Sequence, residues 1–507
     1  MAVLRLTVPP NDGHTLRDCT DYSTLPMVWV AVFTRSIKRR SGRYRPLVVH
    51  AGSRRAGILF RPQLVLLVAF SLSGSVLRAI ERSMGEIVHQ QLPGGMEYGV
   101  TPLPDRHVVS FQLRILAGMS NEPPQALGLA RLVEETLDKG TEVYTAQELA
   151  DAFDAIGAGR QSGTGRETMT FTCTVLPEHF ERAVELHAEL LRRPKFPDDA
   201  VAVNVQLTKQ ELIALDDDAH GLVDKLITRQ AYGPVAGRHQ LGEHETLERI
   251  TRADLEEYWR RYFHGGRIIA AVAGGIEPNR VADALLRHFE GFGSSKREGR
   301  EVLPIEFNPR TTHHDKALEQ EHIAVCWPGV DATHDEFPVQ QVTLGILSGG
   351  MSGRLFTEVR EKRGLVYWVS AWQETPRGSG MMFLGASTTP DRCAKTYMTL
   401  LHEVDRLAED ITRDELDRAK TGIVASQDTR GDATRSRCAE LAGDLFFFGR
   451  PVPIEEKVAK IQAVTVEDVR RYLTLHPRDR LCVITLGPRP LVNPGAPTMK
   501  VAGDVVR

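Results

Sequence analysis

Long hydrophobic runs are missing from this chain of 507 residues. The apolar stretch Leu64–Phe70 is too short and too interrupted for the ~20-residue helix that spans a bilayer. A surplus of one charge is missing too. Lys and Arg number 63 against 66 Asp and Glu, a net charge of −3, which removes the basic footprint expected of a nucleic-acid binder. Cysteine is scarce: Cys19, Cys173, Cys326, Cys393, Cys438 and Cys482 are scattered, with no CxxC pair. That pattern fits reduced thiols rather than a disulfide frame or a cysteine zinc site. What remains is 42% apolar and 25% charged, ordinary globular material with length for two to four domains.

The first eighty or so residues differ in character. "RSIKRRSGRYR" is basic, and an apolar stretch follows it. Residues 1–83 are expected to be an extension, disordered or not native protein, with translation starting near Met84; a targeting segment is the alternative. Composition leaves the compartment unknown, with the cytoplasm favoured over export.

The rest of the chain repeats itself. "ITRADLEEYWRRYF" from Ile250 returns as "VTVEDVRRYLTLH" from Val464, so Thr251, Asp254 and Tyr258 correspond to Thr465, Asp468 and Tyr472, an offset of 214. "IIAAVAG" ends at Gly274 and "LCVITLG" at Gly487, an offset of 213, and Pro177 and Pro390 are also 213 apart. Within each copy, alternating stretches such as "HVVSFQLRILAG" predict strands and "TAQELADAFDAIG" predicts a capped helix. Glu178–Arg193 and Asp198–Leu215 carry helical periodicity, and Ser294–Thr311 is the expected linker. Two α+β domains follow, 84–300 and 301–507. His313 and His314 fall at the linker or a strand start, and are expected to be solvated.

The stretch "GLARLVEETLDKGT", Gly128–Thr141, is the first candidate site. Pro123 and Pro124 suit the start of a helix and Gly140 its end. Leu129, Leu132, Val133 and Leu137 share one face, so Arg131, Glu134, Glu135 and Asp138 share another. Taken alone, that second face is a solvated stripe with an i,i+4 ion pair.

In the second copy, "LSGGMSGRLFTEVREKRGLVYWVSA", Leu347–Ala371, is a glycine loop, then an amphipathic helix, then a turn at Arg363-Gly364 into an aromatic-rich strand. It lacks the Gly-x-x-x-x-Gly-Lys-Ser/Thr spacing of a phosphate cradle.

Together these stretches resemble the pitrilysin/insulysin family of inverted zinc peptidases, in particular its mitochondrial-processing-peptidase-like members. The resemblance runs from about Ile87 to Gly487. The family's helix carries His-x-x-Glu-His followed shortly by Gly-Thr, with a glutamate ligand about 76 residues further on. Here the window is Arg131-Leu132-Val133-Glu134-Glu135, "KGT" follows, and Glu211 lies 76 beyond Glu135. The resemblance therefore implies that Glu134 keeps the general-base position as a vestige and Glu211 keeps the third ligand position. Both histidines are replaced, by Arg131 and Glu135, and a supporting glutamate is replaced by Asn204. Arginine offers no lone pair and its charge repels a cation, so no metal is expected in this chain; a salt bridge from Arg131 to Glu135 or Glu211 is the expected occupant of the site.

The resemblance also implies that Arg360 and Tyr367, seven residues apart, contact substrate. It implies two tandem α/β-roll domains, each an antiparallel-rich sheet packed by helices, enclosing a peptide cleft. On this reading the chain does not hydrolyse alone. It binds unstructured peptide and supplies Arg360 and Tyr367 to a homologous zinc-bearing partner, as a heterodimer or in a homodimer. The alternatives are a structural or assembly subunit, and a metalloendopeptidase with altered ligands.

Overall fold

The repeat in the sequence is a repeat in space. The computed structural model describes residues 86–293, 296–431, 433–491 and 499–500; the expected extension 1–83 lies outside the described residues. Strands β1 (Val88–Gln91), β2 (Glu97–Pro102), β3 (Val109–Ile115), β4 (Gly159–Thr164), β5 (Met169–Val175) and β6 (Ile268–Gly274) form a sheet ordered β1-β2-β6-β3-β5-β4. Strands β7 (Thr311–Asp315), β8 (Glu321–Gly329), β9 (Val366–Glu374), β10 (Gly380–Thr388), β11 (Cys482–Gly487) and β12 (Met499–Lys500) form a second, ordered β12-β7-β11-β8-β10-β9. Each sheet is mixed and mostly antiparallel, with β2–β6 and β7–β11 as the corresponding parallel pairs.

The markers that betray the repeat are structural punctuation. Thr251 and Thr465 are both N-caps, each in a capping box with the aspartate three residues on, which satisfies otherwise orphaned backbone donors. Gly274 and Gly487 end their strands at φ 144° and φ 158°, backbone that a side chain rarely adopts.

Four helices position the site: α1 (Leu129–Thr136), α2 (Asp198–Asp217), α3 (Ala219–Ala236) and α4 (Thr434–Phe448). The last two change places. α3 belongs to the first copy, yet Ile227, Ala231 and Tyr232 pack on Cys326, Phe383 and Ile484 of the second sheet. α4 belongs to the second copy, yet Leu441, Ala442 and Leu445 pack on Ile269, Ala271 and Ala273 of the first. Two arginines seal the exchange. Arg166 sits 4.1 Å over the Tyr232 ring and donates to Glu374 at 2.8 Å, while Arg377 sits 4.3 Å over Phe446. The backbone N–H of Arg377 in turn donates to Glu167 at 3.0 Å. Burying a large apolar side chain contributes about 1.5–3 kcal/mol, whereas the largely buried Arg166–Glu374 pair loses much of its Coulomb gain to desolvation, so the exchanged apolar faces, not the charges, hold the halves together.

One expectation fails here. His313 is buried, not solvated, and its Nδ1 shares a hydrogen bond with the Thr485 hydroxyl at 2.9 Å. The reason is topological: β7 lies between β11 and β12.

Candidate functional site

α1 begins later than its prolines suggest. Gly128 is the N-cap at φ 96°, and the helix starts at Leu129 rather than at Pro123 or Pro124. The cap comes from a residue that sequence reasoning missed. The buried Glu122 carboxylate accepts from the backbone N–H groups of Gly128 at 3.1 Å and Ala130 at 2.9 Å. Burial pushes its pKa up to about 8 despite those two donors. The charge of Arg238, which donates to the Glu122 backbone carbonyl at 2.6 Å, also opposes the shift.

The apolar stripe of α1 is buried as the spacing requires: Leu129, Leu132, Val133 and Leu137 are 2% exposed or less. The polar stripe lines a cleft of about 760 Å³ whose other walls come from β4 and α2. Arg131, Glu134, Glu135 and Glu211 all reach it. Arg131 Nη2 lies 2.7 Å from Glu135 and 2.7 Å from Glu211, and its Nε donates to Glu135 as well. The guanidinium therefore occupies the space between the two carboxylates. Zinc needs three lone-pair donors and one open position. This donor set does not fit zinc, because a cation entering it would have to displace a bound positive charge.

Glu134 points at β4. Its carboxyl is held above the ordinary carboxylate range by burial; hydrogen bonds from Ser162 and Thr164 and the charge of Arg131 oppose the shift, and the Glu135 charge adds to it. β4 itself, "GRQSGT", was not legible as a strand, because it lacks apolar alternation. It is the outer strand of its sheet, and its residues line the cleft. Asn204 is buried on α2 and donates its amide to the Glu135 carbonyl at 3.2 Å and to the Thr136 hydroxyl at 2.9 Å. It clamps α2 to α1.

The second-copy pair stands on two irregularities. Phe356–Glu361, expected as an ordinary helix, is π-helical, a form that recurs at functional sites. Arg360 lies in it, with its guanidinium 4.9 Å over Phe356 and 5.4 Å over Tyr367. Tyr367 falls where the β9–β10 register shifts: Trp368 pairs with Ser387 and Val366 with Thr388, leaving Tyr367 as the extra residue. Bulges of this kind re-aim a side chain, and Tyr367 is 75% exposed. The base of the loop is pinned by Arg354, which is 5% exposed and pairs with Glu415 at 2.7 Å and Asp410 at 2.5 Å. Of the REKRG segment, Lys362 and Arg363 both pair with Glu358, each at 2.7 Å, which marks them as parts of the scaffold. Arg360 and Tyr367 are thus brought to each other. Neither is among the residues lining the Glu134 cleft.

Comparison with known proteins bears on the family and the fold. A family model described as insulinase (peptidase family M16) matches residues 102–242, and one described as the peptidase M16 inactive domain matches residues 249–423. An uncharacterized zinc protease of Streptomyces coelicolor is 26% identical over 404 residues, covering 77% of this chain and 87% of that protein. One from Mycobacterium tuberculosis is 29% identical over 396 residues, covering 75% and 88%. The fold is shared with a peptidase M16 inactive domain from Pseudomonas fluorescens, at a TM-score of 0.74, 20% identity, 81% of this chain and 100% of that one. A protease from Helicobacter pylori gives a TM-score of 0.73 at 18% identity, covering 79% and 99%. With one model of the family on each half and relatives spanning both, this chain belongs to the M16 (insulinase) peptidase family.

Proposed function

We propose that this chain is a non-catalytic M16 subunit that binds unstructured peptide and completes the site of a homologous, zinc-bearing subunit. The observation that carries the reading is the double ion pair of Arg131, at the position that the resemblance assigns to a zinc histidine. With that guanidinium between Glu135 and Glu211, Glu134 has no metal-bound water to activate. The first half keeps the shape of a peptidase site without its chemistry.

The second half favours a role in binding over pure scaffolding. An exposed tyrosine on a bulge and an arginine on a π-helix both cost backbone regularity, and such irregularity accumulates at functional sites. A guanidinium holds a peptide carbonyl or carboxylate, and a phenol donates toward a developing oxyanion. The test has two arms. Dialysed chain is assayed for zinc and for peptide cleavage alone, then for cleavage when mixed with a homologue that carries an intact His-x-x-Glu-His. The reading expects neither zinc nor cleavage alone, and accelerated cleavage in the mixture. One tightly held zinc per chain with chelator-sensitive cleavage would overturn it.

A further inference from the structure

The Glu134 cleft has a counterpart in the second half. A groove of about 680 Å³ lies between the helices Phe337–Ser348 and Arg413–Gly431, beside the end of β9. Its walls match the first cleft position by position. Arg131, Glu134, Glu135, Asp138 and Lys139 line one; Gln341, Leu344, Gly345, Ser348 and Gly349, each 210 residues on, line the other. Asn204, Leu207 and Glu211 of α2 return as Glu415, Arg418 and Gly422, each 211 on. Gly163 and Thr164 of β4 return as Trp372 and Gln373 of β9, each 209 on. The repeat therefore builds the same cleft twice.

The two linings differ in chemistry. All five charged positions of the first helix are uncharged in the second, and Gly422 stands where α2 carries Glu211. A lining without charges suits a neutral guest, since a buried ion would find no partner. Gly345 shapes the floor: a methyl there would press on Ala419 at 3.2 Å and Ile423 at 3.4 Å, so glycine lets the two helices meet. At Gly422 a methyl would meet nothing within 4 Å, which leaves the space above that helix open. From Glu415 to Gln427 the groove follows the helix for about 18 Å at 1.5 Å per residue. That is the length of about five extended residues at roughly 3.3 Å each.

The polar groups of the groove suit a main chain. Gln341, Gln373, Ser426 and Gln427 present amide and hydroxyl groups, the donors and acceptors that a peptide backbone matches. The Gln427 side-chain oxygen is buried and has no hydrogen-bond partner among the described residues. Buried acceptors are seldom left unused, and an N–H from a guest would satisfy this one. Charge sets a further condition. Glu415 is neutralised by Arg354 at 2.7 Å, while Arg418 is exposed and forms no ion pair among the described residues. The uncompensated charge of the groove is positive, which repels Lys and Arg.

We propose that this groove is a second peptide site, holding about five residues of an extended segment with an apolar side chain over Leu344 and Gly422. This rests on the peptide-binding reading above and names its substrate class: an unfolded segment with apolar residues and without Lys or Arg.

The probe is an acetylated, amidated Ser/Thr-rich peptide with one central Leu, with its Leu→Ala and Leu→Lys twins, titrated into the full chain with no partner present. The Leu peptide is expected to bind roughly tenfold more tightly than the Ala twin, the worth of the extra buried methyl groups, and more tightly still than the Lys twin. Gly422→Leu fills the groove from a position where nothing is displaced, and leucine is the better helix former. It should bring the Leu-to-Ala ratio to about one, whereas Gly422→Ala keeps it. Gln427→Met removes the orphaned acceptor and should weaken every peptide about threefold to tenfold without lowering the urea midpoint of the free chain. A central benzoylphenylalanine should crosslink to the segments 337–353 or 413–431. Equal affinities of the Leu and Lys twins overturn the proposal, as does no binding of any peptide at millimolar concentration. So does a ratio that survives Gly422→Leu in a cooperatively folding variant, or crosslinking confined to the Glu134 cleft. Those last two results would leave peptide binding itself standing, and no zinc-bearing partner enters the measurements, so failure here is distinct from failure of the cleavage assay.

Discussion

Arg131 Nη2 lies 2.7 Å from both Glu135, one turn along its own helix, and Glu211, on α2. An internal cation, itself at one of the three positions where the M16 resemblance places metal ligands, thus bridges the other two. The first prediction concerns what happens when it is removed in favour of ligands. Arg131→His with Glu135→His sets two imidazoles beside Glu211, and the double variant is expected to bind zinc. Turnover should stay low, because Asn204 offers an amide donor where a supporting carboxylate would orient a ligand. Metal analysis after dialysis checks this; a folded double variant that takes up no zinc at micromolar levels would show that α1 and Glu211 are wrongly matched to the family's site.

Arg131→Met tests the bridge as a stabilising element. It keeps the aliphatic bulk and leaves two carboxylates facing each other. Breaking a buried pair costs about 3–5 kcal/mol, but the Glu211 side chain is 50% exposed and solvent screens part of that. A loss of about 1–2 kcal/mol is expected, read as a lower urea midpoint with an unchanged slope.

Glu122 gives the chain a pH dependence of definite sign. Burial holds its pKa at about 8 in the fold against an ordinary value of 4.5. Between those values the folded state holds a proton that the unfolded chain has released, so stability falls as pH rises through the window. Below it both states are protonated; above it the penalty is fully present. Glu122→Gln keeps an oxygen to accept from Gly128 and Ala130 and removes the titration. Its stability advantage over the parent should therefore grow from pH 4.5 to 8, by on the order of a few kcal/mol. A constant difference across that range would refute the assignment.

What was legible in the sequence was what local chemistry writes down. The capping box of Thr145 with Glu148 is present, as are the paired boxes at Thr251 and Thr465, because a cap needs only residues three apart. The Arg131–Glu135 pair follows from helical spacing, whereas its extension to Glu211 needed the family's ligand spacing. The rest depends on partners that are distant in sequence. Nothing in Ile227 or Leu441 says which sheet will bury it, since an apolar helix face fits either. The π-helix at Arg360 and the bulge at Tyr367 leave no composition signal. Glu122 escaped notice because a glutamate is ordinarily exposed, and only the fold turns it inward onto the α1 terminus.

The exchange of α3 and α4 predicts mutual dependence of the halves. Expressed separately, 84–300 and 301–507 would each expose the sheet face that the other's helix covers, a large apolar surface prone to association. Each half alone is expected to aggregate, and co-expression to recover a soluble one-to-one complex. Soluble, cooperatively unfolding single halves would contradict the role given to the Ile227 and Leu441 faces.

The last prediction sets Arg360 and Tyr367 in trans. Tyr367→Phe removes one hydroxyl from a side chain that is 75% exposed, so folding and association with a partner should be unchanged. The ring also remains beneath the Arg360 guanidinium, which keeps the 5.4 Å stacking contact. Loss of one oxyanion donor commonly lowers the rate by on the order of 10²–10³. Arg360→Ala removes a charged contact to the peptide and should weaken peptide binding, with hydrogen bonds to charged groups worth about 1.5–3 kcal/mol, roughly tenfold to a hundredfold. The two effects are separable. In the mixture with a zinc-bearing homologue, Tyr367→Phe should act mainly on kcat and Arg360→Ala mainly on KM. If both variants form the complex and cleave an unstructured peptide at the parent rate, the pair takes no part in the reaction and scaffolding becomes the better account of this subunit.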